Sequence, residues 1–194
     1  MIGLNAPQSG KLPENAVKTY NRTLILIHWA TALLIVAVFA SIELREVFEK
    51  GSIPREFLKS LHSMLGLSVL ALTLVRIFVA LRTSEPAIYP APPAWQALAG
   101  KLMHFAIYAI LIALPVLGWL TLSAAGKPVP FFGLTLPPLI AESKDTAEWL
   151  KELHHEIGEI FYWIIGLHAA AALVHHYVFK DNALRRILPS GAKR

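Results

Sequence analysis

The chain has 194 residues, 55% of them hydrophobic and 16% charged, with a mean hydropathy of +0.52. That leaves too little charge to cover a water-facing surface, and the lack of cysteine excludes disulfides, iron–sulfur clusters, thiol nucleophiles and thioether-linked prosthetic groups. The net charge of +5 resides largely on lysines and arginines near the ends of apolar segments. It reads as membrane topology, and nothing in the sequence points to nucleic acid.

Four segments reach the roughly 20 apolar residues that a membrane-spanning helix needs: Leu24–Leu44, Leu58–Leu81, Ala97–Leu122 and Ile157–Phe179. None shows strand alternation, and only helices or closed barrels satisfy their backbone in lipid. The expected fold class is therefore an all-α integral membrane protein, a four-transmembrane-helix bundle making one domain over residues 1–194. A polar stretch precedes the first span without a small-x-small cleavage site, so that span reads as retained. Glu85–Pro93, "EPAIYPAPP", is a proline-rich connection that cannot be helical throughout. Pro115 lies inside the third span, where neighbouring groups can satisfy the freed carbonyl. Ser123–Leu150 is too interrupted to span and too apolar for a disordered linker, so it is expected to lie over one end of the bundle.

Lysine and arginine bias sets orientation. One side carries Lys11, Lys18, Arg22, Arg82, Lys101, Lys180, Arg185, Arg186, Lys193 and Arg194. The other holds Arg45, Lys50, Arg55, Lys59, Lys127, Lys144 and Lys151 among most of the acids. The bias favours both termini on the cytoplasmic side.

Histidines dominate the chemistry. His28, His62, His104, His154, His155, His168 and His175 lie within or at the ends of the spans, and His176 is beside the last. Ionisable residues at membrane depth usually face the bundle interior and mark function. At 100° per residue, His154, His168 and His175 share one face of the fourth helix, while His155 and His176 look away. That phase splits the doubled histidines and argues against a clustered zinc site. His154 and His168 are about 21 Å apart along the helix, room for two stacked cofactors within a hydrocarbon core of roughly 30 Å. His62 is level with His154, and His28 with the deeper ligand. Two haems, each with its iron between one histidine of the fourth helix and one of another helix, is the economical reading; depth alone leaves His175 open for the inner iron, and His104 in place of His28. Arg76 follows His62 by fourteen residues, on the same face at the inner depth. It suits a haem propionate, or else snorkels toward the headgroups. His104 and His175 suit a quinone or proton role.

The segments "LILIHWATALL", "LHSMLGLSVLALTLVR", "HFAIYAILIALPVLGW" and "GLHAAAALVHHYVFKDNALRRILP" resemble the bacterial cytochrome b561 family over nearly the whole chain, from about Tyr20 to Pro189. The resemblance implies a multi-pass protein of the bacterial inner membrane with two b-type haems. It carries the axial, iron-ligating positions onto His28, His62, His154 and His168, favours His168 over His175, and leaves His104 free for quinone. It implies electron transfer from superoxide on the extracytoplasmic side to ubiquinone. Read from charge alone, Lys127, Lys144, Lys151 and Lys59 are the groups on that side that would draw the anion in, although the acids among them nearly cancel their field. The alternative keeps both haems and makes the chain an anchor subunit between a partner redox protein, a hydrogenase or dehydrogenase, and the quinone pool.

Overall fold

The computed structural model describes residues 19–189. Lys11, Lys18, Lys193 and Arg194, used above for orientation, lie outside the described residues. Four long helices make the body: α1 Arg22–Leu44, α2 Ile53–Leu81, α3 Ala94–Ala124 and α4 Lys144–Val174. Each is long and apolar enough to cross a membrane. Their starts follow local chemistry. Asn21 caps α1, its side chain accepting from the Thr23 amide, and Ser143 caps α4 by accepting from Thr146. Pro54 stands in the first turn of α2, and Pro93 immediately precedes α3.

The largest difference from the sequence expectation is α4, which begins at Lys144 instead of Ile157. The charged stretch before Ile157 is an amphipathic first third of the same helix. Its Ala147 and Leu150 are buried with Ala124 against Leu117 and Leu120 of α3. A hydropathy window averages over both faces and so misses such a segment.

The helices pair as two hairpins, α1 with α2 and α3 with α4, joined through α2 against α3. The backbones of α1 and α4 make no close approach. Across that seam only side chains meet.

One end of the bundle is covered by the α3–α4 connection. Val129–Phe131 (β1) and Leu134–Leu136 (β2) form an antiparallel hairpin with Val129 opposite Leu136. The two turn residues, Phe132 and Gly133, have φ of 44° and 86°. A tight hairpin whose central residues both have positive φ selects glycine at the second position. The connection is tied down by Trp119 Nε1 donating to the Pro137 carbonyl (3.0 Å) and the Ser143 amide donating to Ala124 (2.9 Å). Beside it the α1–α2 turn closes around Arg55, which is buried. Its guanidinium donates to the carbonyls of Arg45 (2.9 Å) and Phe48 (2.8 Å) and to both carboxylate oxygens of Glu46.

The opposite end is closed by the C-terminal tail. After Val174 the helix widens into a π turn over His175–Phe179, and Lys180 adopts a left-handed conformation that stops it. The tail then folds back on the start of α1 and the α2–α3 connection. The Tyr20 amide donates to the Arg186 carbonyl (3.0 Å), and the Tyr89 amide donates to Asn182 Oδ1 (2.8 Å). Trp29 Nε1 donates to the Ile187 carbonyl (2.9 Å). Arg186 is buried, donates to the Pro86 carbonyl and lies over the Tyr20 ring.

Burial, and a hydrogen bond donated to Glu85 (2.8 Å), push the Tyr20 phenol from its usual 10.0 up to about 12. The folded state thus favours the neutral phenol. Its contribution is complete below pH 10 and is lost as pH rises toward 12. Ultraviolet titration of the folded protein should show high-pH tyrosine ionisation near pH 12 whose amplitude falls by one tyrosine in Tyr20→Phe. Wild-type and variant curves that superimpose would contradict this cap.

Candidate functional site

Two groups of imidazoles lie along the bundle, separated by an apolar layer. Toward the β-hairpin end, His62 of α2 faces His154 of α4 with ring centroids 6.2 Å apart and planes at 73°. His62 Nδ1 sits 3.1 Å from the Val38 carbonyl of α1. A carbonyl only accepts, so Nδ1 carries the proton and Nε2 keeps its lone pair. The His154 ring lies against Gly118 of α3, where a Cβ would stand 3.4 Å from Cε1. Its Nδ1 is buried and makes no hydrogen bond of good geometry, although the Leu114 backbone of α3 lies close to the ring.

The separating layer centres on Val69, Leu111 and Phe161, each nearly solvent-inaccessible. Phe161 follows His154 by seven residues and precedes His168 by seven. Seven residues are close to two turns, so all three share one face of α4.

Toward the tail end, four helices each contribute one polar group: His28 from α1, Arg76 from α2, His104 from α3 and His168 from α4. The His104 and His168 rings meet edge-on at 5.3 Å. His104 is exposed, and its Nδ1 is 2.7 Å from the Gly100 carbonyl. His28 Nδ1 is buried without a partner, and its ring lies edge-on to Trp29 at 5.5 Å. The Arg76 guanidinium lies over the Tyr108 ring, 5.5 Å from its centroid, within Coulombic reach of His28 and His168. Arg76 therefore points into the bundle instead of snorkelling to the headgroups.

Other sequence candidates stand apart from these groups. His175 Nδ1 is 2.5 Å from Asp181 Oδ2, and the other oxygen of that buried carboxylate accepts from the Ala183 amide (2.9 Å). His155 is exposed beside Glu159 at 3.6 Å, on the outward face that helical phase assigns it. Lys127, Lys144 and Lys151 are all exposed at the β-hairpin end. Lys127 and Glu142 are on the lining of a cavity of about 460 Å³ under the connection. Lys59, counted with them in the charge tally, is paired with Glu56 at 2.6 Å.

Several participants carry no side-chain signal in the sequence. The Val38 carbonyl that orients His62 is backbone, so its side chain gives no signal. Gly118 is one of eleven glycines in the chain. Asp181 was visible only as part of the closing "KDNALRRILP" motif.

The residues present fit a metal cofactor that brings its own equatorial ligands. Among the described residues, no group of three or more His, Cys, Asp or Glu side chains could hold a metal ion. Facing pairs of imidazoles offer only two axial positions. At a metal–nitrogen length of about 2 Å, two imidazoles across one iron have centroids roughly 6 Å apart, and His62 and His154 stand at 6.2 Å. The edge-on 5.3 Å between His104 and His168 is too short for that. Buried imidazole nitrogens without partners, as in His28 and His154, are costly unless something coordinates or hydrogen-bonds the ring.

This arrangement is the one expected of a membrane-embedded electron-transfer cytochrome. The chain matches the family model for prokaryotic cytochrome b561 over residues 19–190, and it belongs to that family. It is 37% identical to "Cytochrome b561 homolog 1" of Escherichia coli (strain K12) over 170 residues, covering 88% of this chain and 97% of that protein. It is 38% identical to "Probable superoxide oxidase CybB" of Yersinia pestis over 175 residues, covering 89% and 97%. A third relative, "Cytochrome b561 homolog 2" of Escherichia coli (strain K12), is 25% identical over 175 residues, covering 90% and 93%. Membership implies b-type haem, and with four apolar helices it makes this a multi-pass inner-membrane oxidoreductase.

Gly118→Val would drive a branched side chain against the His154 ring. We expect loss or displacement of the haem's visible bands at unchanged helical content. A wild-type spectrum from that variant would separate Gly118 from the site.

Proposed function

We propose that the protein is a di-haem superoxide:ubiquinone oxidoreductase. The observation that carries this reading is the His62–His154 pair, two imidazoles from different helical hairpins with centroids 6.2 Å apart in the bundle interior. In this reading His62 and His154 hold one haem b near the β-hairpin end, and His28 and His168 hold the second near the tail end. His28 is half-buried inside the bundle beside Arg76 whereas His104 is exposed, which favours His28 as the second inner ligand. Arg76, turned inward beside His28 and His168, is placed to receive a propionate.

Haem, when bound, supplies reversible one-electron chemistry at iron, which couples a one-electron donor to a two-electron acceptor. The balance is two superoxide anions, one quinone and two protons giving two dioxygen molecules and one quinol. This chain's residues do the rest. Val38 fixes the proton of His62 on Nδ1 and leaves Nε2 free to coordinate. Phe161 and its neighbours keep water out between the two levels. The Gly100 carbonyl likewise holds the His104 proton on Nδ1, so Nε2 is free to take up a proton and pass it to the quinone as that is reduced. His175, oriented by Asp181, is the second proton-carrying group at that end.

Orientation follows the positive-inside rule. Arg22, Arg82, Lys101, Lys180, Arg185 and Arg186 belong to the tail end, which we assign to the cytoplasm together with both termini. Superoxide then approaches the β-hairpin end, where Lys127, Lys144 and Lys151 are exposed. The Yersinia relative's name supports the choice of donor.

Stopped-flow mixing of oxidised protein with superoxide should reduce the haem, and added ubiquinone should reoxidise it. If superoxide leaves the haem oxidised while a partner dehydrogenase or hydrogenase reduces it, the chain is an anchor subunit. His28→Ala and His168→Ala should each remove one haem signal and spare the other, measured by redox-resolved absorbance. Loss of both signals from a folded variant would refute the pairing. His104→Ala should keep both spectra and slow quinone reoxidation by about a hundredfold, the lower end for a lost acid–base group.

A further inference from the structure

The two members of each proposed ligand pair come from different hairpins. His28 and His62 belong to α1–α2, while His154 and His168 belong to α3–α4. The separation of the hairpins therefore sets the span offered to each iron. On one side α2 packs on α3; on the other, the backbones of α1 and α4 make no close approach.

At that open seam stands one aromatic strut. Tyr162 of α4 stacks on Phe39 of α1 with centroids 3.9 Å apart and planes at 28°. Its hydroxyl donates to Glu43 of α1 at 2.8 Å. Phe39 and Glu43 are one turn apart on the same face of α1, so the ring lies on one and its hydroxyl reaches the other. Phe39 also meets Phe161 of the separating layer at 6.2 Å. The strut is next to the outer pair in the chain of contacts, because Val38, adjacent to Phe39, supplies the carbonyl that orients His62. A carboxylate and a phenol in a membrane-spanning region are otherwise expensive. Here each satisfies the other.

We infer that Tyr162 is a positioning residue for the outer haem: its bond to Glu43 and its stack on Phe39 hold the α1–α2 and α3–α4 hairpins at the spacing His62 and His154 need to share one iron. The inference rests on the proposed His62–His154 ligation. The inner pair is less dependent on the strut, because the tail crosses the same seam at its own level through Trp29 and Ile187.

The test uses the full-length haem-loaded protein, with electron paramagnetic resonance of each low-spin haem and redox titration as readouts. Tyr162→Ala should move the g-values and midpoint potential of the outer haem and speed its release about tenfold, leaving the inner haem as in wild type. Tyr162→Phe, which keeps the stack and loses the hydroxyl, should shift the same signal less. Glu43→Gln should restore wild-type behaviour, since the amide oxygen still accepts from the phenol. A reading independent of haem comes from spin labels, which the cysteine-free sequence makes simple to place. Labels at Val36→Cys and Trp163→Cys, both exposed, should report a broader distance distribution in haem-free Tyr162→Ala. Unchanged distances with an unchanged outer signal would overturn the strut, as would equal shifts of both haems. Failure of the ligation itself would show separately, as two intact haem signals in His62→Ala.

Discussion

The constraint on which the structure depends is the cost of a polar group in hydrocarbon. An imidazole at membrane depth has no water to bond, so each nitrogen must find a carbonyl, a metal or another side chain. His62 uses Val38, His104 uses Gly100 and His175 uses Asp181, each through Nδ1. Those bonds fix tautomers and ring planes before any cofactor chemistry is considered. His28 and His154 have buried Nδ1 atoms without such bonds, and packing against Trp29 and Gly118 orients their rings instead. The site is thus partly hydrogen-bonded and partly wedged.

The same cost explains the irregular elements at both ends. At one end Arg55 gathers the carbonyls of Arg45 and Phe48 in the turn that follows α1, and the β-hairpin covers the end of α3. At the other, the π turn lets Asp181 reach back to His175, and the tail closes over α1 and the α2–α3 connection. Both caps join the two helical hairpins or hold their ends, and the middle of the bundle is left to apolar packing. A cytochrome of this family can therefore keep a dry interior between two polar levels without a backbone contact between its first and last helices.

Helical phase on α4 carried unusually far. His154 and His168 fall on one face with Phe161 midway, and His155 lies outward, as a 100° step requires. Arg76 needed coordinates, because an arginine five residues from a helix end has two physically sound destinations and only its contact with Tyr108 chooses between them. The first third of α4 was hidden by charge, although its Ser143 cap and its buried Ala147 and Leu150 were local helix signals. The β-hairpin was hidden because "FFGLTL" is short and apolar, and its turn rests on two positive φ angles.

The sequence by itself determined the four spans, the absence of thiol chemistry, the inward stripe of histidines and the family. The first three follow from composition and from the period of a helix, and the family from the resemblance of short motifs; all of these are local properties. Tertiary structure alone decided which rings face one another, which carbonyls hold them, how the tail closes over α1, and that the seam between α1 and α4 is bridged by side chains. Those depend on the distances and rotations between helices, and such quantities are set by packing between residues far apart in the chain.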